Sequence, residues 1–296
     1  MANGIKILVT GASGFVGSRL SLYLSSIGYD VYGLSRQGQG DEGVNWIVGD
    51  FGHRRSQTSV KPAVALAQVE PSIIIHCAGV VRDSDDSDFD KVNYEGSKRL
   101  LELAQATPSV LGFINASSIG VYGKPQSDDG VVREDDECHP QNAYAISKYK
   151  FEGELFSQKS LPYINLRIAN IPGADAFINY VIDNKRASFY GDDWYVRDYI
   201  HPDDLNDLFA KSIGYLIKGE DSLTINAGAG IAYHFDDIVD EIERATGDKI
   251  ERHFEPEKQG DIVKIICEIR RAKDALNWSP NYIRLQEIID YAVRNK

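Results

Sequence analysis

The stretch Thr10-Gly11-Ala12-Ser13-Gly14-Phe15-Val16-Gly17 decides the fold. An apolar run, Ile5 to Thr10, precedes it. A segment with apolar residues at helical spacing follows (Val16, Leu20, Leu24, Ile27). The run predicts a buried strand and Phe15 to Ile27 a helix. Between them lies a glycine loop with the spacing G-x-x-G-x-x-G. Gly11 suits a tight turn, Gly14 lets the backbone approach a pyrophosphate, and Gly17 lets helix and strand pack closely. The helix N-terminus then aims its free N–H groups at phosphates. With a strand before it and a helix after it, the triplet is a dinucleotide-binding signal rather than a plain turn. Gly11, Ser13, Gly14, Phe15, Val16 and Gly17 are assigned to it.

The same alternation runs outward from this unit. Asp30 to Leu34, Trp46 to Val48, Ser72 to His76, Leu111 to Ala116 and Tyr163 to Ile168 read as strands. Val60 to Val69, Asp90 to Ala106 and Ala143 to Gln158 read as helices. This order predicts an α/β fold, a doubly wound parallel sheet of Rossmann type over residues 1–169. Beyond Asn170 helices are predicted at Ala174 to Asn184, Asp203 to Ile217, His234 to Thr246 and Leu285 to Arg294. Short strands fall at Leu223 to Asn226 and Ile250 to Phe254. These make a smaller C-terminal α/β lobe.

Composition narrows the function classes. The chain has 296 residues and a net charge of -12, which disfavours a nucleic-acid partner. No apolar run approaches the ~18 residues of a membrane span. Three well-separated cysteines give neither a disulfide framework nor zinc spacing, so no metal is expected. The N-terminus lacks the features of a signal peptide, and the expectation is a cytoplasmic protein with reduced thiols.

The end of the second strand meets the adenosine ribose in folds of this type. Here it reads Tyr32-Gly33-Leu34-Ser35-Arg36, without an acid. Arg36 could pair a 2′-phosphate through its planar fork, with Ser35 donating one more hydrogen bond. NADP(H) is therefore favoured, with NAD possible. Asp50, with Phe51 beside it, follows the third strand and is placed to meet the adenine edge.

Tyr144-Ala145-Ile146-Ser147-Lys148 sets Tyr144 and Lys148 one turn apart on a helix. An ammonium beside a phenol favours the phenolate, so Tyr144 is expected to have a lowered pKa and to exchange a proton near neutrality. Ser117 and Ser118 end the preceding strand, at the carboxyl edge where open α/β sheets bind ligands. Ser118, 26 residues before Tyr144, could hydrogen-bond a reacting carbonyl oxygen. Ser118, Tyr144 and Lys148 form the expected catalytic set.

With these residues in view the chain resembles the extended short-chain dehydrogenase/reductases, and within them the NAD(P)-dependent epimerase/dehydratase family acting on nucleotide sugars. The resemblance spans Thr10 to Gly17, Asp50, His76-Cys77-Ala78-Gly79, Asn93, Ser117 to Gly123 and Tyr144 to Lys148. It continues through Arg167 to Asn170, Arg197 to Asp204, Asn226 to Gly228, Gly260-Asp261 and Ala275 to Pro280. It implies that Ala78, Gly79, Val80 and Asn93 lie along the cofactor. Ser117, Tyr144 and Lys148 would hold the nicotinamide ribose side. Asn170 and Arg197 would bind the phosphates of a nucleotide-diphosphate sugar, with Lys258 where an arginine is common. The resemblance also implies that 199–228 rejoins the first domain, leaving 170–198 and 229–296 as the substrate lobe. A homodimer through the helices at Asp90 to Ala106 and Ala143 to Gln158 is expected, although their Leu100, Leu103, Phe151 and Leu155 could equally be core.

Departures from the family narrow the reaction. Its 4,6-dehydratases carry an acid pair directly after the serine position, where this chain has Ile119 and Gly120. Its C3/C5 epimerases place a cysteine near there, paired with a histidine. Neither Ile119 nor Gly120 can move a proton, which leaves redox chemistry at one carbon, most readily C4. Only 26 residues lie between Asn170 and Arg197, fewer than in members with full substrate lobes. The resulting expectation is an NADP(H)-dependent reductase of a nucleotide-activated 4-keto, 6-deoxy sugar. The alternative is a nucleotide-sugar 4-epimerase with tightly bound NAD. A redox-sensing binding protein without chemistry is a third reading, disfavoured because Ser118, Tyr144 and Lys148 are all present.

Overall fold

Strand β1 (Lys6–Thr10) is the centre from which the main sheet grows in both directions. Helix α1 (Phe15–Ser26) carries the chain to β2 (Asp30–Ser35), and β3 (Val44–Val48) follows on the same side. Helix α2 (Pro62–Val69) then returns it past β1 to β4 (Ile73–His76). A π-helical segment (Phe89–Gly96) and α3 (Ser97–Gln105) lead to β5 (Gly112–Ser118). After the two-residue β6 (Val131–Val132) come α4 (Ala143–Ser157) and β7 (Tyr163–Ile168). The computed structural model describes residues 4–36, 42–49, 62–81, 89–190, 195–256 and 262–296.

Helix α5 (Ala176–Asn184), β8 (Arg186–Tyr190), β9 (Val196–Arg197) and α6 (Pro202–Ile217) follow. The chain closes with β10 (Leu223–Ala227), β11 (Tyr233–His234), α7 (Phe235–Thr246), β12 (Glu251–Glu255), β13 (Lys264–Cys267), α8 (Arg270–Leu276) and α9 (Leu285–Arg294). The seven-stranded sheet has the order β10-β7-β5-β4-β1-β2-β3, and the pairs from β5 to β3 are parallel. This is the expected Rossmann-type α/β sheet. Its order reverses between β1 and β4, and in such sheets ligands bind outside the strand ends at that reversal.

Contacts divide the chain into two units. One comprises Met1–Val121, Gln141–Leu166 and Asn206–Thr224, and the other Tyr122–Pro140, Arg167–Leu205 and Ile225–Lys296. The first has a core in which Leu8, Ile74 and Phe113 of the sheet meet Leu100 of α3 with Phe151 and Leu155 of α4. Leu103 packs at the edge of that core. The apolar residues considered for a dimer face are therefore core or core-edge residues. The second unit holds a four-stranded sheet, β11-β9-β13-β6, and a two-stranded sheet, β12-β8. Its core gathers Ile178, Val181, Ile238, Ile242 and Ile288.

Two sequence expectations need correction. The helix expected over Asp90 to Ala106 is π-helical up to Gly96 and α-helical only from Ser97. Strands β6, β8, β9, β11 and β13 went unread. Three of them have two residues, too few to show a period. In β8 the alternation was present, with Ala187 and Phe189 buried between outward-facing neighbours.

Candidate active site

The glycine loop has the geometry its spacing predicts. Gly11 lies at φ +67°, and a Cβ there would sit 2.6 Å from the Ala78 backbone nitrogen. A Cβ on Gly17 would come within 2.3 Å of the Gly11 carbonyl oxygen. The Gly14 N–H donates to that same oxygen at 2.9 Å, which closes the turn. Gly14 caps α1 in extended conformation, with no side-chain cap and no acid in the first turn. The positive end of the helix is thus left to a ligand, and the cradle fits a pyrophosphate. Ser13 is exposed beside Gly14, and Phe15 and Val16 are half-buried at the helix start. Arg19 covers the Phe15 ring at 3.9 Å.

Ser35 is buried at the end of β2 and Arg36 is exposed directly after it. Asp50, Phe51 and Lys258 lie outside the described residues, as do Gly260 and Asp261.

The loop after β4 passes beside the glycine loop. The Ala78 N–H donates to Thr10 Oγ1 at 3.3 Å. Asn93, expected along the cofactor, grips this loop. Its Oδ1 accepts the Val80 N–H at 2.7 Å, and its Nδ2 donates to the Val80 carbonyl at 2.9 Å and to Ser147 Oγ at 3.1 Å. A Cβ on Gly79 would lie 3.3 Å from Lys148 Nζ, so this loop runs directly past the lysine.

Asn142 caps α4, its side chain accepting the Ala145 N–H at 2.8 Å, and this fixes where Tyr144 and Lys148 emerge. Ser118 Oγ accepts the Gly120 N–H at 3.1 Å and lies close enough to Tyr144 to lower its pKa. The three expected catalytic residues are brought together, but not with the expected electrostatics. Burial raises the Tyr144 pKa, and the Ser118 contact opposes it in part. Lys148 Nζ lies 6.0 Å from the Tyr144 ring centroid and donates to the Ala116 carbonyl at 2.9 Å. Burial draws its own pKa down to about 8, against the pull of Cys77 and Glu152. The ammonium therefore sits on the strand rather than on the phenol.

Below this set lies a buried polar layer that the sequence reading missed. Ser117 Oγ donates to Glu152 Oε1 at 2.6 Å. Asn165 Nδ2 donates to the same oxygen at 2.9 Å, and Asn115 Nδ2 to Asn165 Oδ1 at 2.8 Å. Ser117 is thus tied to α4 by its hydroxyl. His76 shares hydrogen bonds of 2.7 Å with Thr10 and with Ser97, and burial holds its pKa down to about 3. The available signal was Glu152 itself, an acid four residues after Lys148 on a face otherwise built from Phe151 and Leu155.

In the second unit Asn170 and Arg197 meet around Asp198. The Asn170 backbone N–H and Nδ2 both donate to the Asp198 carbonyl, at 3.2 and 3.0 Å. Arg197 Nη1 donates to the carbonyls of Val196 and Val263, and its guanidinium lies over the rings of Tyr195 and Phe235. The fully buried Asp198 carboxylate accepts the N–H groups of Ala229, Gly230 and Cys267, each at 3.0 Å. Desolvation pushes its pKa up to about 6, opposed by these donors. Cys77, Cys138 and Cys267 are not paired in disulfides. Among the described residues no group of side chains could hold a metal ion, and no helix is long and apolar enough to cross a membrane.

Comparison with known proteins gives a consistent result. The profile of the NAD dependent epimerase/dehydratase family matches residues 7–228. A UDP-glucose 4-epimerase of Rhizobium leguminosarum bv. trifolii is 30% identical over 321 aligned positions, covering 97% of this chain and 95% of the relative. The structure of a UDP-glucose 4-epimerase from Brucella ovis in complex with NAD superposes with a TM-score of 0.86 at 23% identity, covering 99% of this chain and 98% of that one. A UDP-glucose 4-epimerase from Thermotoga maritima, solved with UDP-glucose, gives 0.78 at 25% identity, with 98% of each chain covered. The expected preference for NADP(H) finds no support here; the Brucella ovis structure is described with NAD.

Proposed function

The chain belongs to the NAD dependent epimerase/dehydratase family, and from that premise we propose that it is a nucleotide-sugar 4-epimerase using bound NAD. The observation that carries this reading is the whole-length likeness to a UDP-glucose 4-epimerase. The substrate class that follows is a UDP-hexose. This replaces the reductase expected from Arg36.

The glycine cradle and the uncapped start of α1 would hold the pyrophosphate of NAD. Gly79, Val80, Tyr144 and Lys148 would border its ribose and nicotinamide. NAD supplies a reversible two-electron acceptor for the C4–H of the sugar. The protein's part is proton handling and restraint. Tyr144 takes the proton of the sugar O4 as C4 is oxidised and returns it when C4 is reduced from the other face. Ser118 hydrogen-bonds O4 throughout and keeps the phenol in line. Lys148 supplies positive charge that steadies the phenolate while Tyr144 is deprotonated. Ile119, which is buried, and Gly120 offer no group for a second proton transfer, so the sugar is not dehydrated. Asn170 and Arg197 would hold the diphosphate.

The test is to incubate the purified protein with UDP-galactose and no added cofactor, following UDP-glucose by NMR. Dinucleotide released on denaturation is identified in parallel. Interconversion with NAD released in stoichiometric amount is expected. An empty protein that oxidises NADPH with a 4-keto sugar nucleotide would overturn the reading in favour of a reductase.

A further inference from the structure

Glu152 is fully buried on α4, one turn beyond Lys148 and on the same face. Its neighbours on that face, Phe151 and Leu155, belong to the apolar core. A carboxylate in such a place costs several kcal/mol in desolvation unless it is well partnered. Its partners are fixed from the sheet. Ser117 on β5 and Asn165 on β7 both donate to Oε1. Asn115 occupies the Asn165 carbonyl oxygen, so the Asn165 amide nitrogen is turned toward Glu152.

Lys148 and Glu152 also grip consecutive residues of one strand. Lys148 Nζ bonds the Ala116 carbonyl, and Glu152 takes the Ser117 hydroxyl. Lys148 is itself nearly fully buried. The groups that face it are Tyr144 and Glu152 on α4, His76 and Cys77 at the end of β4, Asn93 of the π-helical segment, and Ala116 on β5. Burial holds the His76 ring neutral and pushes the Cys77 thiol up to about 12, so neither carries charge near neutrality. Among the described residues facing Lys148, Glu152 is the one carboxylate.

We propose that Glu152 is the fixed counter-ion of Lys148, a positioning residue whose carboxylate keeps that ammonium charged and seated at the reaction centre. The assignment rests on the placement of Lys148 in that centre and is independent of which sugar is turned over. Without the carboxylate the buried ammonium loses its proton at lower pH. A neutral amine then no longer steadies the Tyr144 phenolate.

The experiment uses NAD-loaded protein with 15N-labelled lysine, following the Lys148 ammonium by NMR as pH is raised. The resonance is identified by its loss in Lys148→Met. In Glu152→Gln, which keeps an oxygen for Ser117, the Lys148 midpoint is expected to fall by about one pH unit, a roughly tenfold loss of proton affinity. The alkaline limb of turnover moves with it. In Asn165→Ala, which keeps the charge, melting temperature falls and the midpoint stays. An unchanged midpoint in folded Glu152→Gln overturns the proposal. If that variant does not fold, the wild-type Glu152 carboxyl carbon decides, assigned by its loss in Glu152→Asp. It must shift with the Lys148 midpoint, and a carbon that does not respond overturns the proposal. Because the titration uses no substrate, a shifted midpoint without epimerisation would sink the sugar reading and leave this one standing.

Discussion

Asn93 closes both backbone polar groups of Val80, accepting its N–H at 2.7 Å and donating to its carbonyl at 2.9 Å. A side-chain amide thereby does for this loop what a neighbouring strand would do. Asn93→Ala leaves both groups without that partner. A loss of about 2–3 kcal/mol is expected in urea unfolding. NAD affinity, read by quenching of protein fluorescence, should weaken because Gly79 and Val80 are no longer held beside Lys148.

Glycines of this chain should respond to the same change with opposite signs. Gly17→Ala places a methyl 2.3 Å from the Gly11 carbonyl, a backbone atom that cannot step aside. The variant should lose more than about 2 kcal/mol and purify without dinucleotide. Gly153→Ala on α4 meets nothing within 4 Å. It should gain about 0.5–1 kcal/mol through helix propensity alone. Thermal melts of the two variants, with the dinucleotide content of each, check both.

Tyr144→Phe removes the proposed proton carrier and leaves the ring packed against Phe89 at a centroid distance of 6.2 Å. Turnover should fall by about two to four orders of magnitude. Bound NAD and melting temperature should change little. A variant that keeps a tenth of wild-type turnover would remove Tyr144 from the proton path.

His76 gives a pH dependence with a defined sign. Its folded pKa is held down to about 3, below the ordinary imidazole value of 6.5. Between those values the unfolded chain binds more protons, so stability rises with pH across that window. The contribution is fully present above pH 6.5 and is lost progressively as pH falls toward 3. At pH 5 wild type should have lost about 2 kcal/mol relative to neutral pH through this residue alone. His76→Gln should flatten that part of the profile in parallel denaturation series at pH 5 and pH 7.

Much of this was legible in sequence. The glycine loop, the parallel sheet and the meeting of Ser118 with Tyr144 and Lys148 follow from local spacing, because each depends on residues within one βα unit or at consecutive strand ends. The electrostatics did not follow. Spacing shows that Lys148 shares a face with Tyr144, but not that the Ala116 carbonyl captures the ammonium or that burial raises the pKa of the phenol. The Glu152–Asn165–Asn115 layer was hidden for a similar reason. It joins α4 to two strands, and no periodicity within one element reports such a layer. The NADP(H) expectation rested on one exposed arginine, a residue type that surfaces carry for many reasons, and the comparisons lend it no support.

The two units are interleaved along the chain, each assembled from three separate segments. No single cut releases either one intact, so neither can be exchanged by simple fusion at one junction. Synthesis feels the same arrangement. When Leu166 leaves the ribosome, the Asn206–Thr224 segment that completes the first unit is still unmade. Asp198 likewise waits for Cys267, so its carboxylate gains its last backbone donor only when about nine-tenths of the chain has emerged. A nascent chain of this protein therefore carries unfinished edges until late.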